Sequence, residues 1–362
     1  MNIRVLAVTV NPDRPTTESF IGLHRSGIDI TVICNIQFPH YQKLIDAGIP
    51  TLDINLTKNV TFKTVLALRK EMALGKYDIV HTFNNSGLTS ALIASFGLPI
   101  KIVTYRGIVG NVSYFDPISW MRFLNPRIDR IICVCDAIRD YFLNMKPSFL
   151  RMPRNRPVTI YKGHKLDWYQ ESPKDLAEFG IPDNSFVVGC VANSRPRKGI
   201  EYLVEAIALL PKDINICLLL VGHMKGYKLE KAINNSPEKH RIYLPGFCDD
   251  APTISASCDV FCLPSVKREG LPRAVIEAMA YGVPAIVTDS GGSPELVQNG
   301  KSGIVIPVRN AKAIADSIEK LYRDTEFKKR LGMNARKRID THFDNDETVK
   351  QTINVYRDLL SV

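Results

Sequence analysis

The sequence predicts two doubly wound α/β domains, and three observations carry that expectation. Apolar runs of strand type alternate with helical patterns along most of the chain, the signature of parallel βαβ units. At roughly 150 residues per domain, 362 residues suggest two such domains. Polar, glycine-bearing turns stand between strand-like runs and the helices that follow them. In sheets of this kind ligands bind beyond the carboxyl ends of the strands, so those turns are where chemistry is sought.

In the first half, strand-like runs are expected at Ile3–Val10, Ile28–Cys34, Asp78–Phe83, Lys101–Tyr105 and Arg130–Val134. Between them Phe62–Leu74 carries apolar residues at three- and four-residue spacing, a helical period. In the second half, runs follow at Phe186–Asn193, Ile214–Gly222, Ile242–Phe247, Asp259–Pro264 and Pro284–Thr288.

With 45% hydrophobic and 23% charged residues, the composition is that of an ordinary globular protein. No apolar run approaches the roughly 18 residues of a membrane span. Met1-Asn2-Ile3-Arg4 leads straight into a strand, so no secretory signal is expected. Cys190, Cys217 and Cys262 lie in apolar runs and read as small hydrophobes. Cys133/Cys135 and Cys258/Cys262 lack the paired spacing and histidines of a zinc site, so no metal is expected. A reducing, cytoplasmic compartment follows. The net charge of +10 points to an anionic partner: nucleotide phosphates, an acidic lipid surface, an anionic acceptor or nucleic acid.

The most informative stretch is Val266–Thr288, V-K-R-E-G-L-P-R-A-V-I-E-A-M-A-Y-G-V-P-A-I-V-T. Gly270 frees the backbone, Leu271 precedes proline and is pushed extended, and Pro272 suits the first helical position. Glu269 therefore belongs to a turn at the mouth of a helix that carries Glu277 and ends at Gly282. A helix N-terminus favours a phosphate. A carboxylate beside it can accept hydrogen bonds from hydroxyls, and a second on the same side can hold a vicinal diol, so a diphosphate flanked by two polyols fits. The alternative is a cap at Glu269 and a salt bridge at Glu277, although Glu277 sits in an almost wholly apolar helix where a lone carboxylate is costly. Upstream, Arg195 and Lys198 stand three apart at a strand end, with Gly199 opening the next helix.

The segment from Ser265 to Pro284 resembles the E-x7-E signature of the retaining glycosyltransferases of family 4, whose fold is GT-B. The resemblance implies two Rossmann-like domains facing each other across a cleft, with nucleotide-sugar as donor. It makes Arg195 and Lys198 the clamp on the donor diphosphate, from an R-x-x-K-G loop. Glu269 then orients the transferred sugar and Glu277 the ribose, with Gly270, Leu271 and Pro272 at the donor. Ile242–Phe247 resembles the strand and turn beside the nucleotide base, which adds Gly246 and Phe247. His81, with Asn84, resembles an H-x-H segment; a satisfied strand-end histidine is the other reading. Arg106 occupies the place of a histidine that faces the donor sugar in many relatives. The loop holding Asn11 lacks the family's paired glycines, and Arg14 is left to act electrostatically. Asp289-Ser-Gly291-Gly292 is a further glycine turn. Asp344-Asn-Asp346 matches a metal motif of a different fold but reads as a helix cap.

The resemblance implies an N-terminal acceptor domain at 1–165, a donor domain at 166–345, and a last helix at 346–362 crossing back to the first. It implies a metal-independent transferase with no cofactor, making lipopolysaccharide or another bacterial surface polysaccharide. The acceptor is a glycan or lipid-linked glycan, with an anionic group among its options. Residues 145–165 hold six cations and no acid, either a solvated face or a contact with an anionic acceptor or the cytoplasmic face of the inner membrane. Rival readings are a nucleotide-sugar epimerase of similar fold, a glycosidase and a nucleic-acid-binding module. Arg195 and Lys198 argue against the glycosidase, and the lack of an aromatic platform among the basic residues against nucleic acid.

Overall fold

The computed structural model describes residues 3–56, 60–147 and 149–361. Met1 and Asn2, used in reading the amino terminus, lie outside them, as does Ser148 of the basic run. The chain forms two compact units, Met1–Gly163 with Phe343–Val362, and His164–His342. The sequence reading puts the boundaries after residues 165 and 345; the units divide after Gly163 and after His342.

The first unit contains strands β1 (Arg4–Val8), β2 (Asp29–Ile33), β3 (Thr51–Leu52), β4 (Ile79–Thr82), β5 (Lys101–Arg106), β6 (Arg130–Cys133) and β7 (Pro157–Thr159). They pair in the order β3-β2-β1-β4-β5-β6-β7, all parallel. The second unit contains β8 (Phe186–Val191), β9 (Ile216–Val221), β10 (Ile242–Gly246), β11 (Val260–Leu263), β12 (Ala285–Thr288) and β13 (Gly303–Ile306). Their order is β10-β9-β8-β11-β12-β13, again parallel. Both sheets are doubly wound, as expected. Strand β9, I-C-L-L-L-V, is buried along its whole length, which is why it reads as an unbroken apolar run. Strands β3, β7 and β13 were not expected. All three are edge strands of four residues or fewer, too short and too solvated for a strand pattern. Pro157 is tolerated because an edge strand can spare an amide.

Strand order reverses between β1 and β4 in the first unit and between β8 and β11 in the second. The crevice at such a reversal is where doubly wound sheets take ligands. In the second unit the β8 loop delivers Arg195 and Lys198, and the β11 loop delivers Glu269.

The last helix, Asn345–Leu360, packs on the helix Arg14–Arg25 within the first unit. Asn345 anchors it, its amide reaching Pro15 O at 3.3 Å, Ser19 Oγ at 3.0 Å and Gly163 O at 3.2 Å. A Cβ on Gly163 would stand 2.1 Å from Asp344 O, so only glycine admits this approach. Asp344 occupies the N-cap position, but its side chain makes no capping bond.

Tyr356 of that helix is fully buried, and its hydroxyl lies 2.7 Å from His81 Nδ1. Burial lowers the His81 pKa from 6.5 to about 3. The unfolded imidazole takes its proton near 6.5 and the folded one only near 3. Stability from this group is therefore complete above 6.5 and is lost as pH falls through that window, by about 1.4 kcal/mol per pH unit. Denaturant midpoints at pH 6.5 and 4.5 should show wild type losing roughly 2–3 kcal/mol more than His81→Asn. Equal losses would place the proton elsewhere.

Candidate active site

In the second unit the loop after β8 turns at Pro196–Lys198 and enters the helix Ile200–Ala208 through Gly199. Gly199 has φ +61°, and a Cβ there would meet Pro264 O at 2.5 Å. The glycine thus lets the β8 and β11 loops touch, and Val266 N donates to Arg197 O at 2.8 Å. This contact brings Lys198 onto Glu269. The ammonium lies 2.9 Å from both carboxylate oxygens, and Ser265 Oγ donates to Oε2 at 2.7 Å. Neither side chain is more than 15% exposed. An ion pair this enclosed is held by all three groups together, and removing either charged partner leaves the other uncompensated.

Behind Glu269 the turn Asp289–Gly292 closes in: Gly292 N donates to Glu269 O at 3.2 Å. Gly291, at φ +58°, sits where a Cβ would be 2.0 Å from Glu269 O. That glycine turn supports Glu269 from behind. Gly270 and Pro272 are buried, and the helix runs Arg273–Ala280, one residue later than the proline suggests, with Pro272 at the N-cap. Glu277 lies one turn inside, half-buried, with Arg273 Nε 3.3 Å from its Oε1.

On the other side Ser194 N donates to His223 O at 3.0 Å, and Gly222 N to Gly246 O at 2.7 Å. These bonds join the β8 loop to the ends of β9 and β10. Phe247 is exposed, and its ring stacks on His223 with centroids 5.4 Å apart and planes 15° from parallel. Arg195 is exposed on the β8 loop. The loops after the strands of the second unit therefore carry an aromatic stack, two cations, a helix N-terminus and two carboxylates. Ser265 and His223 were missed in the sequence. Each stands two residues past the end of a strand on this edge, the one signal that could have found them.

The first unit places its expected residues differently. Arg106 ends β5 but is buried. Its Nε donates to Ile108 O at 3.1 Å, its Nη2 bonds Gly110 O, and the guanidinium lies 4.5 Å from the Phe123 ring centre. Burial lowers its pKa to about 10. It clamps the Gly107–Gly110 turn, so its donors are taken by backbone carbonyls. Arg106→Ala should therefore destabilise by about 2–4 kcal/mol, since two carbonyls lose their donor inside the protein. Denaturant unfolding of that variant checks it; unchanged stability would restore an open, ligand-facing Arg106.

His81 is likewise turned into the core. Asn84 caps the helix Asn85–Ala94, accepting from Gly87 N at 2.7 Å. Asn11 is exposed and Arg14 half-buried at the carboxyl end of β1. Next to them Asp13 holds Lys162 Nζ at 2.6 Å. Burial alone would raise the Asp13 pKa, but Lys162 and the Thr16 hydrogen bonds hold the carboxyl well below its usual range.

Among the described residues no group of three or more His, Cys, Asp or Glu side chains is arranged to hold a metal ion. None of their helices is long and apolar enough to cross a membrane.

Two family descriptions match the chain: "Glycosyl transferases group 1" over residues 171–338 and "Glycosyltransferase Family 4" over residues 20–168. An Escherichia coli protein named UDP-Gal:alpha-D-GlcNAc-diphosphoundecaprenol alpha-1,3-galactosyltransferase is 25% identical, over 99% of this chain and 96% of that one. The capsular polysaccharide biosynthesis glycosyltransferase CapM of Staphylococcus aureus is 26% identical, over 98% and 96%. Among solved structures, Anabaena Alr3699/HepE in complex with UDP-glucose superposes with a TM-score of 0.80 at 22% identity, over the full length of both chains.

Proposed function

The chain belongs to the family 4 glycosyltransferases of the GT-B fold, and on that premise we propose how it works. It takes a sugar from a nucleoside diphosphate and joins it to a hydroxyl of a glycan or lipid-linked acceptor in surface-polysaccharide synthesis. Anomeric configuration is retained and no metal takes part. The observation that carries this reading is the Lys198–Glu269–Ser265 contact at the β8/β11 reversal, beside a helix N-terminus.

In this reading Lys198 and Arg195 bind the diphosphate and neutralise charge as it leaves. Glu269 orients the hydroxyls of the transferred sugar, and Gly270, Leu271 and Pro272 lie along the donor. Glu277 takes the ribose diol, and the Phe247–His223 stack flanks the base beside Gly246. Asn11, in the loop after β1, and Arg14, at the start of the helix that follows, are assigned to the acceptor. The acceptor hydroxyl attacks the anomeric carbon on the face from which the diphosphate departs. Its proton passes to the departing phosphate oxygen. Glu269 suits an orienting role better than a nucleophilic one, since both its oxygens already hold hydrogen bonds. The E. coli relative's name, with its UDP-linked donor and diphospholipid acceptor, supports uridine as the base and an anionic lipid-linked acceptor. The basic run 145–165 would meet that acceptor or the anionic membrane surface carrying it.

A thermal-shift screen with UDP, GDP and ADP tests the donor. One of them at a hundred times its dissociation constant should stabilise the protein by about 2.7 kcal/mol. Proton NMR of the product then reads its anomeric configuration. No shift with any nucleotide would sink the reading.

A further inference from the structure

We propose that an exposed aromatic and basic face of the first unit, built from residues 113–121 and 149–154 with Lys146, docks on an anionic lipid bilayer. The inference rests on the anionic contact proposed above and gives it a location.

Phe115 and Phe149 are 82% and 83% exposed, and Ile118, Met121 and Trp120 also stand in solvent. Such large apolar side chains clustered on two neighbouring segments mark an interaction surface. The segments meet at Tyr114, whose hydroxyl lies against the Met152 backbone and Arg156. Arg156 in turn reaches Pro126 O at 3.5 Å, fixing the basic segment to the end of the aromatic one. The indole N–H of Trp120 is satisfied inside its own loop by Tyr114 O at 2.8 Å, with the two rings 5.9 Å apart. The rest of the indole is therefore free to enter an apolar phase without stranding its donor.

Charge chooses the occupant. Residues 113–127 and 145–165 carry eight Lys or Arg and a single acid, Asp116. Asp116 spends its carboxylate capping a short helical turn, accepting from Ile118 N, Ser119 N and Ser119 Oγ. Lys146, Arg151 and Arg154 are exposed on the same segment as Phe149. A protein interface keeps charge out of its centre, whereas here cations of one sign stand among apolar tips on loops. That pattern suits a headgroup layer, where phosphates meet the cations and the acyl boundary takes the rings.

The test uses the full-length protein with Trp168→Phe, which leaves Trp120 as the one tryptophan. Vesicles of phosphatidylcholine with and without phosphatidylglycerol are the probes. The anionic vesicles should bind the protein and shift Trp120 emission to the blue, and added salt should reverse both. Replacing Lys146, Arg151 and Arg154 by glutamine should weaken binding roughly a hundredfold at low salt. Phe115→Ser with Phe149→Ser should weaken it on the order of tenfold. UDP-induced thermal stabilisation in both variants should match wild type, which shows that they fold. Equal binding by the variants, no preference for anionic vesicles, or capture of an acidic protein in place of vesicles would overturn the proposal. Vesicle binding without any nucleotide binding would instead leave this surface standing and count against the proposed function.

Discussion

Lys198→Ala should lower kcat/KM by about a hundred- to a thousandfold, the usual loss when one preorganised donor to a developing anion is removed. It should also destabilise the second unit by about 3–5 kcal/mol, because the Glu269 side chain, only 7% exposed, loses its counter-ion and retains the Ser265 hydrogen bond. These effects are separable. The double variant Lys198→Ala/Glu269→Gln removes the stranded charge, so most of the stability should return while activity stays low. Steady-state kinetics together with denaturant unfolding of both proteins decides it. If the double variant regained activity along with stability, Lys198 would be a structural partner of Glu269 and nothing more.

Glu269→Gln and Glu277→Gln should fail in opposite ways. Glu269 neutralises Lys198 in the empty site with both oxygens. Its amide replacement frees the ammonium, so affinity for the bare nucleoside diphosphate should hold or rise. Turnover with the full donor should nevertheless drop by about a hundredfold, since the group that orients the transferred sugar has lost its charge. Glu277 is proposed to hold the ribose, away from the bond that breaks. Losing a charged hydrogen-bond partner there should cost about 1.5–3 kcal/mol, a ten- to hundredfold weaker binding of free nucleotide and donor alike. Arg273 is the neighbour it would share with the diol.

The fold was legible because the central strands of both sheets are buried on both faces and must read as apolar runs. Three edge strands escaped because half their surroundings are water. In the second unit the candidate residues were legible because they sit in contiguous loops whose glycines have visible reasons. The contact that matters most was not, since Lys198 and Glu269 are 71 residues apart and meet only where the β8 and β11 loops cross. The first unit shows the limit of the strand-end rule. Arg106 is where that rule points, yet its guanidinium is taken by Ile108, Gly110 and Phe123, from an irregular segment without periodicity. His81 is likewise claimed by Tyr356, 275 residues downstream. A rule about strand ends locates a backbone position; which way the side chain turns depends on partners far away in the chain.

In the proposed mode the β8/β11 crevice holds a nucleoside diphosphate with its ribose toward Glu277 and its sugar toward Glu269. Titration calorimetry of the free nucleotide into wild type and the two glutamine variants decides it. Affinity should be kept or raised in Glu269→Gln and lowered at least tenfold in Glu277→Gln. Loss of binding in Glu269→Gln with normal binding in Glu277→Gln would mean that the donor lies the other way round.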